Sequence, residues 1–127
     1  MRIFAMTVAA LLMLATNPAG AQPAPEEHWS SYRDFWFDFD SARIDAADAI
    51  KVADVAAYAK GNPTHHIGID GAAGEDTQLD ARRVGSVRDA LIKAGVPAES
   101  IYTGDFGSAQ LRRARRVEVL VDRRDRQ

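Results

Sequence analysis

Two stretches with the apolar spacing of buried helices, each flanked by stretches with the alternation of strands, leave this chain few ways to fold. From about Ala46 to Lys60 alanine dominates, and Val52, Val55, Ala56 and Ala59 recur at the i, i+3, i+4, i+7 spacing of one helical face. Gly61-Asn62-Pro63 ends that pattern. In the second stretch Leu79, Val87, Ala90, Leu91 and Ala94 fall within one helical stripe. Thr77-Gln78-Leu79-Asp80 reads as a capping box at its start, with Asp76 adding negative charge at the positive helix end. Gly95 takes the left-handed cap position, and Val96-Pro97 prevents continuation.

Around these helices lie four strand-like segments. Phe35-Trp36-Phe37-Asp38-Phe39 is aromatic at alternate positions, bracketed by Asp34, Asp38 and Asp40. His65 to Ala72 alternates Ile67 and Ile69 with Gly68 and Asp70 and runs into a glycine-rich turn from Gly71 to Gly74. Ser100 to Phe106 and Arg116 to Asp122 supply the third and fourth. The order β-α-β-α-β-β predicts an α+β sandwich, two helices packed on one face of a mixed four-stranded sheet.

The N-terminus is of another kind. Met1-Arg2, an apolar run from Ile3 to Ala15, and Ala19-Gly20-Ala21 have the order of a secretory signal peptide, residues 1–21, cut after Ala21. The run is shorter than the roughly 20 apolar residues that span a bilayer. With no cysteine in the sequence, disulfides and a lipidated N-terminus are both excluded. The prolines of Gln22 to Glu27 mark residues 22–28 as an extended spacer, which leaves residues 29–127 as one domain. A periplasmic protein, not lipidated and with no membrane insertion after cleavage, is therefore expected. Export also argues against nucleic acid as the partner of the arginines that crowd the C-terminal end, from Arg112 and Arg113 to Arg126.

No enzyme is expected, because there is no cysteine nucleophile and no Gly-x-Ser-x-Gly elbow. No cofactor is implied. His65-His66 with Asp70 suggests a metal site, but neighbouring strand residues point to opposite faces, and His28 supplies no third ligand by spacing. Trp29, Tyr32 and Trp36 could stack on sugars, although strand aromatics are more often core. The residue out of place is Arg83, which falls in the middle of the second helix's apolar stripe. Two readings are open. Its guanidinium snorkels past the stripe or pairs with Asp80 or another carboxylate; or, following a glycine-rich strand exit, it forms a carboxylate trap with the helix N-terminus.

From Phe35 to Arg124 the chain resembles the OmpA-like C-terminal domains of outer-membrane proteins, peptidoglycan-associated lipoproteins and flagellar stator proteins. Phe37-Asp38-Phe39-Asp40-Ser41 with Ile44 is similar to that family's opening strand and loop, and Ile67-Gly68-Ile69-Asp70-Gly71 to its second strand. Leu79-Asp80-Ala81-Arg82-Arg83-Val84, followed by Gly95-Val96-Pro97, resembles its Leu-Ser-x-x-Arg-Ala helix and Gly-Ile-Pro exit. Arg115-Arg116-Val117-Glu118-Val119 resembles its closing Asn-Arg-Arg-Val-Glu strand.

The resemblance implies noncovalent binding of peptidoglycan in a Gram-negative envelope, through the diaminopimelate of the stem peptide. Arg83 would hold the carboxylate, with Asp40 beside it. The family's ammonium-binding aspartate is missing, because Ala72-Ala73-Gly74 follows Gly71 where the pattern has x-Thr-Asp. Asp70, Glu75 or Asp76 would replace it from a shortened loop. The alternative is a degenerate scaffold with a structural Arg83, whose partner is another envelope protein.

Overall fold

The computed structural model describes residues 29–71, 76–106 and 113–122. The expected leader and spacer, the loop from Ala72 to Glu75, Arg112 and the arginines beyond Asp122 lie outside the described residues. In chain order the elements are β1 (Trp29–Trp36), α1 (Ala49–Gly61), β2 (His66–Asp70), α2 (Thr77–Lys93), β3 (Ile101–Thr103) and β4 (Arg116–Asp122). Single 3-10 turns at Ala46–Asp48 and Ala98–Ser100 precede α1 and β3.

The sheet order is β1-β4-β2-β3, with β4 antiparallel to both neighbours and β3 parallel to β2. This is the mixed sheet that the element order predicts. Alternation along β4 and β2 sorts their side chains. Val117, Val119, Val121, Ile67 and Ile69 meet Val55 of α1 and Val87 and Leu91 of α2 in one core. Each side chain buried there contributes about 1.5–3 kcal/mol. The other sheet face is also covered: the Trp29 ring lies over Gly68, where a Cβ would come within 3.0 Å of it, and packs 4.5 Å from the Phe106 ring. On that face Ser31 donates to Glu118, and Arg116 Nη2 donates to Asp34 at 2.7 Å. Burial opposes the charge on Arg116, but the hydrogen bond to Asp34 and the nearby carboxylates outweigh it and raise its pKa.

Two strand boundaries differ from the sequence reading. β1 starts at Trp29 and ends at Trp36, rather than running from Phe35 to Phe39. Phe35 and Phe37 enter the core as alternation requires, but Phe39 is 83% exposed, because the chain turns at Asp40, whose φ is +57°. β3 stops at Thr103 rather than Phe106; Gly104 N–H still reaches Ile69 O, at 3.2 Å, but its φ of +157° leaves the strand. At its C-terminal end the outer edge of β1 is capped by α1 and the 3-10 turn before it. Trp36 N–H donates to Asp48 Oδ2 and Lys51 Nζ to Asp34 O, so these groups cannot template another strand.

α2 is stopped by local chemistry. Val96 N–H bonds Leu91 O and Gly95 N–H bonds Ile92 O, a Schellman pair with Gly95 at φ +107°. Its start is capped by Asp76 rather than Thr77: the Asp76 carboxylate accepts the Leu79 N–H at 3.0 Å, and Thr77 is the first helical residue. Leu79, Arg83, Val87 and Leu91 are its buried residues, so the arginine does occupy the apolar stripe.

Candidate functional site

Arg83 is 4% exposed, one turn into the buried face of α2. Its Nε donates to Ser41 O at 2.7 Å and its Nη2 to Asp38 O at 3.1 Å, and its Cζ lies 5.5 Å from the centre of the Phe37 ring. Three residues further along α2, Ser86 Oγ donates to Ala42 O at 2.5 Å. The loop after β1 is thus held on α2 by donors from two side chains. Arg83 does not pair with Asp80, nor with any other carboxylate among the described residues. Carbonyl dipoles solvate the guanidinium but do not neutralise it, and a buried charge without a counter-charge is costly. Its Nη1 has no partner among the described residues.

The guanidinium lines a cleft of about 350 Å³, together with Phe39, Asp40, Asp76, Leu79, Asp80, Ala114 and Arg115. Three segments meet there: the first turns of α2, the loop after β1, and the turn before β4. Phe37 N–H donates to Arg115 O at 2.8 Å and ties the last two together. Each carries a non-glycine residue in the left-handed region, Asp40 at φ +57° and Arg115 at φ +68°. Aspartate tolerates that conformation better than arginine. Both residues line the cleft, so the strained backbone is concentrated where a ligand could be held.

Of the four residues singled out from the sequence, the cleft brings together Arg83, Asp40 and Asp76. Asp70 is not with them. It is 4% exposed and accepts the Phe106 N–H at 3.0 Å. The reason is strand parity: Ile67 and Ile69 face the helices, so Asp70 faces the opposite side of the sheet. Sequence reasoning missed Asp80 and Arg115 as cleft residues. Asp80 was open to discovery, because it lies three residues before Arg83 on the same helix and stands where the similar motif has serine. Arg115 carries no such local signal, since it reaches the cleft through its pairing with Phe37.

His65 and His66 lie elsewhere. His65 Nδ1 is 2.6 Å from the Tyr58 hydroxyl, while His66 is buried against Tyr102. Among the described residues no group of three or more histidines or carboxylates could hold a metal ion, and no helix is long and apolar enough to cross a membrane.

The architecture and the cleft define a small α+β domain with a buried arginine at the opening of its second helix. The chain belongs to the OmpA family, whose sequence profile matches residues 36–124. It is similar to the peptidoglycan-associated lipoprotein from Burkholderia pseudomallei, with 25% identity and a TM-score of 0.57 over 72% of this chain and 91% of that one. The OmpA-like domain of FopA1 from Francisella tularensis has 19% identity and a TM-score of 0.56 over 84% and 92% of the two chains. The C-terminal domain of Helicobacter pylori MotB has 20% identity and a TM-score of 0.56 over 72% and 84%. No curated protein matches the sequence.

Proposed function

We propose that this chain is exported to the periplasm and binds peptidoglycan noncovalently, with the diaminopimelate of a stem peptide in the cleft. Arg83 takes the diaminopimelate carboxylate, and Asp40 and Asp76 supply negative charge for its ammonium. The observation that carries the reading is the state of Arg83: buried, fixed through two carbonyls, lining a cleft, and paired with no carboxylate among the described residues. A guanidinium held in this way loses little freedom on receiving a carboxylate, and α2 opens beside it with its N-terminal dipole. Similarity to a peptidoglycan-associated lipoprotein supports the same ligand class. Asp70 has no part in this arrangement, since it faces the other side of the sheet.

A second reading, a scaffold whose partner is another envelope protein, is favoured by one observation. The bonds from Arg83 to Ser41 O and Asp38 O also suit an arginine that only holds the loop in place. Calorimetric titration with a soluble muropeptide monomer containing diaminopimelate separates the two. Saturable binding with the muropeptide recovered unchanged supports the first; no heat of binding leaves the second, and cleavage of the muropeptide contradicts both.

A further inference from the structure

We propose that Trp36 is the floor of a sugar subsite beside the cleft, on which an amino sugar of the glycan strand stacks while its stem peptide enters the cleft. The inference rests on the peptidoglycan reading above and adds a second point of contact to it. Three aromatics near the start of the domain have faces suited to sugars, and the structure leaves one of them available. The Trp29 ring lies over Gly68 and packs 4.5 Å from the Phe106 ring. Tyr32 has the Tyr58 ring 5.0 Å away and the Arg33 Cζ 4.1 Å from its own ring centre. Trp36, by contrast, is 46% exposed. An indole left this open forgoes much of the burial that would hold it in a core.

The residue is also held in place and has polar company. Its backbone N–H donates to Asp48 Oδ2 at 2.9 Å, and Asp48 is itself paired with Lys51 at 3.0 Å. Arg116, opposite Trp36 in the register of β1 and β4, sets its Cζ 5.9 Å from the ring centre. Asp34, two residues back on the same strand face, accepts from Arg116 through Oδ1; its side chain is 37% exposed, and its Oδ2 has no partner among the described residues. A pyranose presents C–H groups, which suit the negative face of an aromatic ring, and hydroxyls at its rim, which need hydrogen-bond partners. The indole meets the first need and the Asp34 carboxylate the second. Phe39 and Ile50 are exposed too, but Phe39 lines the cleft already described and Ile50 has no ring. The platform adjoins the cleft through two strand ends: Phe37, the residue after Trp36, donates to Arg115 O, and Arg115 lines the cleft. At about 3.3–3.6 Å per extended residue, a stem of a few residues joins the two subsites.

The test is calorimetric titration with a disaccharide muropeptide containing diaminopimelate, and with the same stem peptide freed of its sugars by an amidase. Wild type is expected to bind the sugar-bearing form about threefold to tenfold more tightly than the bare peptide. Trp36→Leu is expected to bind both forms as wild type binds the bare peptide, and Trp36→Phe, which keeps a ring, to retain part of the preference. Because the readout is a ratio of two affinities of one protein, a general loss of stability in a variant leaves it unchanged. If wild type binds the two forms equally, if the ratio survives in Trp36→Leu, or if Trp36→Phe loses it as fully as Trp36→Leu, stacking on Trp36 is overturned and peptidoglycan binding stands. If wild type binds neither form, the peptidoglycan reading fails and takes this inference with it.

Discussion

Replacing Arg83 with alanine removes the donors that hold Ser41 O and Asp38 O, and it withdraws the side-chain stem that covers this part of the Phe37 ring. Ser41 O left without this donor costs about 1–3 kcal/mol and the lost contact with the Phe37 ring adds to it, whereas Asp38 O keeps the Ser41 N–H at 3.1 Å. Two effects reduce the total: water can follow from the cleft to the exposed carbonyls, and the cost of keeping a cation buried disappears. The balance is a loss of about 2 kcal/mol. For a domain of this size, where each kcal/mol moves Tm by about 4–8 °C, the expected drop is about 8–16 °C. Thermal unfolding followed by circular dichroism should show it, with the transition still cooperative, because Val55, Ile67, Val87 and Leu91 are untouched. Arg83→Lys should fall between the two, since an ammonium can reach one carbonyl but lacks the planar fork that spans both. A melting temperature for Arg83→Ala within about 2 °C of wild type would refute the claim that this arginine anchors the loop.

Arg115→Gly releases a left-handed arginine, and despite the added freedom of the unfolded chain it should raise stability by about 0.5 kcal/mol in urea unfolding; a lower midpoint would show that φ +68° carries no strain there. Asp76→Ala removes the cap on the Leu79 N–H and should cost about 1 kcal/mol by the same assay, whereas Thr77→Ala should cost clearly less; the reverse order would reinstate the capping box read from the sequence. For export, the intact mass of periplasmic protein should correspond to a chain beginning at Gln22, and recovery of the full-length chain in the membrane fraction would contradict that expectation.

Legibility in the sequence followed how local the determining chemistry was. The end of α2 was readable to the residue, because Gly95 and Val96 satisfy the last carbonyls themselves. β4 was readable along its whole length, because Val117, Val119 and Val121 alternate with residues of the other face. β1 was not, for two reasons. Its first half is Ser30-Ser31-Tyr32-Arg33, where a register irregularity against β4 breaks the alternation, and Phe39 extends an aromatic pattern beyond the point where the strand ends. In the site, Arg83 announced itself as a charge in an apolar stripe. Asp70 lies outside the cleft, and the clue to its position was present, since a strand whose isoleucines face the helices must turn its aspartate away. The tie from Phe37 to Arg115 joins residues far apart in the chain, and no local pattern encodes it.

Sedimentation with purified sacculi tests the central claim most directly, because stems built on diaminopimelate carry a carboxylate beside the side-chain amine and stems built on lysine do not. If Arg83 is a carboxylate trap, wild type should pellet with diaminopimelate sacculi, be released by free diaminopimelate, and leave lysine-type sacculi in the supernatant. Arg83→Ala, assayed well below its melting temperature, should bind at least about tenfold more weakly, as expected for a lost charge-assisted contact. Equal pelleting with both kinds of sacculi, or binding that survives Arg83→Ala unchanged, would contradict the claim.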